Sequence, residues 1–181
     1  MSNGCYLVWM VMKMLEPAAK HADFINQKAK MLEYDLRYQF VFGSHERGGD
    51  FIRYGQGNET TRSFASVDND GNCIGCMVYG YNPDPMKITW LFAVSFDIGN
   101  PVYGDDLMQV FRDAFEKYGF NGIEFTCYSG NPVLPTYRKL VSKFGGREVG
   151  YFKDHARLLD GRIYDSHMFE IMADDYFNHR K

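Results

Sequence analysis

The chain has 181 residues and a net charge of −3. That length lies close to the scale of one domain, roughly 150 residues, and sets the expectation of a single unit over 1–181. Hydrophobic residues make up 45% and charged residues 24%, enough apolar material for a core and too little charge excess to keep a chain expanded, so general disorder is excluded. The 20 basic and 23 acidic residues leave no basic surplus of the kind a nonspecific nucleic-acid binder carries. Aromatic residues, at 17%, are the unusual quantity, and they draw attention to apolar surfaces and clefts.

The start carries no basic segment ahead of an apolar one, and Ser2 stands where a myristoyl signal requires glycine. Leu7–Met12 is too short to cross a membrane. The expectation is a soluble, cytoplasmic protein with neither a membrane nor a nucleic-acid partner. Four cysteines at irregular spacing do not resemble a disulfide scaffold. Cys73 and Cys76 form a Cys-x-x-Cys pair inside a predicted strand, where residues three apart point to opposite faces, so they read as buried small side chains. The five histidines are scattered, so no metal site is expected, and neither a P-loop nor a dinucleotide glycine motif is present.

Tyr6–Met12 reads as a strand apolar on both faces. Glu16-Pro17 then opens a helix whose buried face carries Ala18, Ala22, Ile25, Ala29 and Leu32. From 34 to 61 the periodicity is lost among aromatic residues and glycines, which marks a variable loop and helix region suited to facing a substrate. Arg62–Val67 and Cys73–Tyr81 flank Asp70-Gly71, a hairpin signal. Ile88–Phe96 is apolar on both faces and reads as a central strand. Leu107, Val110, Phe111, Ala114, Phe115 and Tyr118 define an amphipathic helix from about 105, closed by Gly119. Gly122–Tyr128 is the next strand, and Pro135 opens a helix carrying Tyr137, Leu140, Val141 and Phe144. Arg147–Phe152 and Tyr164–Ile171 read as two final strands, with Asp160-Gly161 as the turn candidate between them. The order implies an α/β fold of mixed α+β type, with one mixed central sheet flanked by helices.

That order, from Thr61 to Ile171, resembles the GCN5-related N-acetyltransferases, whose members bind acetyl-CoA where two central parallel strands splay apart. Ile74-Gly75 stand where that family carries an Ile-Gly pair on its hairpin, and the strand to Phe96, the loop Asp97–Gly104 and the following helix match its pyrophosphate-binding element. With Gly104 at the last small position of the family signature, Val102 occupies the first glycine and Gly99 the basic position. The segment has two readings: a capped helix after a tight loop, or a diphosphate site made by the amides of Val102, Tyr103 and Gly104. Asn131 stands at the exit of the next strand, where the family uses an Asn to hold the pantetheine arm or the acceptor.

The resemblance implies acetyl transfer to an amine acceptor, either a small molecule or a protein. Phe96, Val102, Tyr103, Gly104 and Asn131 would hold the cofactor, acetyl-CoA. Tyr137, one turn before the family's tyrosine position, is the candidate to protonate the departing thiolate, and Glu124 and Asp97 are the candidate bases. Glu124, between Ile123 and Phe125, is expected in an apolar setting that raises its affinity for a proton. The alternative is an inactive protein of the same fold that serves as a protein-binding module.

Overall fold

The computed structural model describes residues 15–42 and 60–180, so the expected strand at 6–12 and most of the variable region at 34–61 lie outside the described residues. Among the described residues, seven strands form one mixed sheet in the order β1-β2-β3-β4-β5-β7-β6. They are β1 (Glu16–Pro17), β2 (Thr61–Val67), β3 (Cys73–Asn82), β4 (Lys87–Ser95), β5 (Gly122–Tyr128), β6 (Arg147–Arg157) and β7 (Ile163–Met172). Every neighbouring pair is antiparallel except β4 and β5, which run parallel and are joined through the helix between them.

The helices are α1 (Ala22–Leu32), α2 (Gln39–Phe42), α3 (Pro101–Glu116), α4 (Leu134–Lys143) and α5 (Ala173–His179). One apolar layer joins Met77, Tyr79, Phe125 and Phe169 of the sheet to Val110 and Phe111 of α3 and Leu140 and Val141 of α4. The second joins Ala65, Cys76, Val78, Phe92 and Val94 to Ala22, Ile25 and Ala29 of α1. The predicted helix faces are therefore the buried ones.

Three local expectations need correction, and one element was not foreseen. Glu16 and Pro17 do not open a helix: they pair with Ala65 and Phe64, Pro17 is extended, and α1 begins only after a 3-10 turn at Ala18–His21. The last two strands are longer than their apolar runs. Wide irregularities around 149 and between Phe152 and Ala156, with Asp154 at φ 51°, interrupt their alternation, and the turn closes at Gly161. The short helix α5 follows β7 without a sequence signal of its own. Finally, Cys73 and Cys76 do not point to opposite layers. A bulge on β3 pairs Ser66 with Gly75 and Val67 with Cys73, so both thiols pack on the α1 layer, and no metal-binding group occurs among the described residues.

The core contains one orphan among the described residues, the Tyr79 hydroxyl, which is buried with no hydrogen-bond partner. A buried donor left unpaired costs roughly 1–3 kcal/mol. Tyr79→Phe, which keeps the ring against Phe64 and Phe120, is therefore expected to raise stability by about 1 kcal/mol and Tm by about 3 °C. A lower Tm in differential scanning calorimetry would contradict this account of the hydroxyl.

Candidate active site

Parallel pairing between β4 and β5 is confined to Lys87 with Gly122 and Ile88 with Ile123; past these residues the two strands part. β5 is paired along its whole length with β7 instead. The Phe96 amide donates to the Ile74 carbonyl at 2.7 Å, which fixes the phase of the antiparallel ladder between β3 and β4. Alternation then turns the amides of Leu91, Ala93 and Ser95 toward the gap. Among the described residues, the result is a wedge with a bare backbone edge on its β4 wall.

Tyr137 lies over this wedge on the α3/α4 side. Its ring meets Phe125 of β5 edge-on at 5.2 Å. Burial raises its hydroxyl well above the ordinary phenol range, and the Cys127 thiol on β5 adds to the effect. Tyr103 is raised likewise by burial, and next by the neighbouring Tyr137 hydroxyl. The Tyr103 ring lies flat on β3, where a Cβ at Gly75 would come within 2.5 Å of it, and its hydroxyl reaches the Cys76 carbonyl at 3.4 Å. This contact supplies a physical reason for glycine in the Ile74-Gly75 pair.

The start of α3 differs from expectation. The helix begins at Pro101, four residues before the predicted start, because Asn100 caps it: its Oδ1 accepts from the Val102 amide at 3.0 Å. Pro101 has no N–H to offer and Gly104 already sits inside the first turn, so the helix leaves Tyr103 with the remaining open amide. Phe96 does not present an amide to the gap either, and its ring packs edge-on to Phe24 of α1 at 6.0 Å. The Asp97 carboxylate accepts from Asn100 Nδ2 at 2.9 Å, and its carbonyl from Ser95 Oγ at 2.7 Å, so Asp97 shapes the loop. Asn131 uses Oδ1 to accept from the Val133 amide at 3.1 Å and donates toward the Cys127 thiol.

Glu124 projects from the opposite side of the sheet, away from Ile123 and Phe125. It is not in an apolar setting: Lys87 Nζ meets its Oε1 at 2.5 Å and Glu170 Oε2 at 3.1 Å, and Arg147 binds Glu170 at 2.6 Å. This charge ladder crosses four adjacent strands at the narrow end of the wedge. Glu124 and Glu170 are direct cross-strand neighbours, so Lys87→Ala leaves two carboxylates facing each other. With Glu124 partly exposed, the expected cost is about 1 kcal/mol, shrinking in high salt, as urea unfolding at two ionic strengths would show.

Two features of this open side were not legible in the sequence. A bulge at Thr89 turns Trp90 to the Lys87 face, where the indole covers Gly80 and stays 46% exposed. In addition, α2 spans the wide end: Phe42 meets Phe92 at 5.7 Å, Phe40 meets Tyr164 at 5.3 Å, and Gln39 Oε1 accepts from the Asp160 amide at 3.1 Å. Phe40 and Phe42 belong to the aromatic stretch flagged for its composition, but no periodicity marked them.

Burial pushes the Cys127 thiol up to about 12 and raises Cys76, Tyr79, Tyr103 and Tyr137 as well. Each stays neutral in the folded chain at pH values where the unfolded chain ionises it. Stability is therefore full below the unfolded thiol value of about 8.5 and falls as pH rises, the phenols joining above about 10. Urea midpoints that hold constant from neutral to strongly alkaline pH would contradict this.

No protein-family model matches the chain, and no curated protein sequence does. Solved structures do. A chimera of the spermidine N-acetyltransferase SpeG from Vibrio cholerae and hSSAT matches with TM-score 0.65 and 17% identity, covering 92% of this chain and 99% of that one. A GCN5-related N-acetyltransferase from Brucella melitensis matches with TM-score 0.64 and 18% identity over 92% of this chain and 78% of that one. The spermidine/spermine N-acetyltransferase SpeG from Vibrio cholerae in complex with manganese ions gives 0.58 and 17% over 69% and 72%. The fold is that of the GCN5-related N-acetyltransferases. Its splayed strands are β4 and β5. Among the described residues, no helix is long and apolar enough to cross a membrane.

Proposed function

We propose that the chain is an N-acyltransferase that takes an acyl group from a thioester, in the first instance the acetyl group of acetyl-CoA, and passes it to an amine. The observation that carries this reading is the wedge itself, with a bare strand edge on one wall, a half-buried phenol over one side and a carboxylate on the other. The thioester supplies an activated acyl carbon. The β4 amides at Leu91, Ala93 and Ser95 accept an extended pantetheine arm as an added strand, and an amide aimed at the acyl oxygen stabilises charge there. Tyr137, kept protonated by burial, acts as an acid and gives its proton to the departing sulfur. Glu124 takes the proton of the amine, which approaches from the open side past Trp90. A C–N bond forms as the C–S bond breaks, and the two protons move from amine to Glu124 and from Tyr137 to sulfur. Asp97 and Asn131 hold the loops that flank the gap.

The test is turnover of acetyl-CoA with a panel of primary amines; spermidine is included because similar structures carry it in their names. Glu124→Gln is expected to slow transfer about tenfold or more, while Asp97→Asn, a loop change, leaves the rate within about twofold. A folded protein that neither binds nor turns over acetyl-CoA would reject the reading. A specific observation favours a second reading, a protein-binding module: Val149, Tyr151 and Phe152 stand about half exposed or more on the edge strand β6. Thioester binding without transfer to any amine would support it.

A further inference from the structure

We infer that the acyl donor is gripped through its pantetheine arm alone, with no contact to the diphosphate, so that acyl-pantetheine thioesters lacking the nucleotide are donors as good as acyl-CoA. This rests on the acyltransferase reading above and concerns which part of the donor the chain recognises. A helix N-terminus binds a diphosphate through its open amides and a dipole unopposed by nearby negative charge. At α3 a single amide, that of Tyr103, is left for the first condition, and the second fails. The Val102 amide is already donated to Asn100 Oδ1, Pro101 has none, and the Phe96 amide is spent on Ile74 of β3.

The charge carried by the segment that forms this helix start is also of the wrong sign. Between Lys87 and Arg112 the sequence contains no Lys, Arg or His, while Asp97, Asp105 and Asp106 all fall within it. Asp106 is buried and accepts from Ser66 Oγ at 2.6 Å, which anchors the first turns of α3 to β2 and holds that carboxylate in place. Across the gap, the first cation of α4 is Arg138, and its guanidinium is bound to Glu148 at 2.9 Å and faces His167. The pantetheine contacts survive this loss, because the amides of Leu91, Ala93 and Ser95 lie deeper, on β4, and belong to no cap.

Isothermal titration with acetyl-CoA and with acetyl-pantetheine, at low and moderate salt, tests the inference. The expected result is dissociation constants within about fivefold of each other and little changed by salt, since no phosphate charge is neutralised. Acetyl-CoA binding more than about fivefold tighter, with the advantage lost in salt, would overturn it while leaving the acyltransferase reading intact. Failure to bind either thioester would reject both. Asn100→Ala supplies a second measurement. With Val102's amide released, acetyl-CoA is expected to gain on acetyl-pantetheine, and an unchanged ratio would remove the role given to the cap.

Discussion

Tyr137→Phe is expected to lower kcat for acyl transfer by about a hundredfold while leaving KM for the thioester within about twofold. Proton delivery to a leaving sulfur matters only as the C–S bond breaks, so its loss appears in kcat. The substitution retains the ring and with it the edge-on contact with Phe125, so the fold should persist. The hydroxyl is available as a donor because a phenol is protonated throughout the neutral range, and burial raises it further. A change in KM with kcat preserved would show instead that the phenol only lines the cleft. The result also decides between two tyrosines, since the Tyr103 hydroxyl is turned to the Cys76 carbonyl.

The largest stability effect is expected at Gly146. Helix α4 ends in a Schellman motif, with Gly145 at φ 74°, its amide donating to Ser142 O at 3.1 Å and the Gly146 amide donating to Val141 O at 2.8 Å. This closure presses the chain against β7, so that a Cβ at Gly146 would lie 2.4 Å from the Glu170 carbonyl oxygen and 2.6 Å from Ile171 Cγ1. Backbone cannot swing aside as a side chain can. Gly146→Ala should therefore cost about 3 kcal/mol, a drop of about 6–12 °C in Tm for a chain of this size. Gly150→Ala, where a Cβ would meet open space, is the control and should change Tm little. Equal effects at the two glycines would refute the packing argument.

Much of the fold could be read from local pattern. The run Leu107, Val110, Phe111, Ala114, Phe115 announced α3 because helical periodicity and burial coincide there, and Asp70-Gly71 announced the β2–β3 hairpin because that turn calls for a residue free to adopt positive φ, as Gly71 does at 87°. Reading failed where alternation is broken. The bulges at Ile74, Thr89 and Val149 each turn the residues beyond them onto a new face, and a one-residue insertion leaves no mark in composition. Cys73, Trp90 and the length of β6 were misplaced or unplaced for that single reason.

The candidate site was legible in part. The parting of β4 from β5 was implied by the element order; the structure places Tyr137 over the gap and Glu124 at its narrow end on the other side of the sheet. Their electrostatics did not follow: an ion pair between Glu124 on β5 and Lys87 on β4 joins residues far apart in sequence. The early start of α3 was available in principle, since Asn100-Pro101 is a cap followed by proline at the first helical position, a signal outweighed by the expectation of a phosphate loop.

By itself the sequence determined the long strands and the helices α1, α3 and α4, because periodicity, turn residues and caps act over a few neighbours. It also determined the apolar excess, and the aromatic quantity that stood out at the start is largely spent in the two layers, with Trp90 and the α2 phenylalanines left to border the wedge. Only the tertiary structure decided which strand edge remains free. The Val102 amide is taken by Asn100 two residues away, a local matter, but whether β4 shows a paired or a bare edge to β5 depends on angles between elements, which are set by packing across the whole sheet and not by any local stretch of chain.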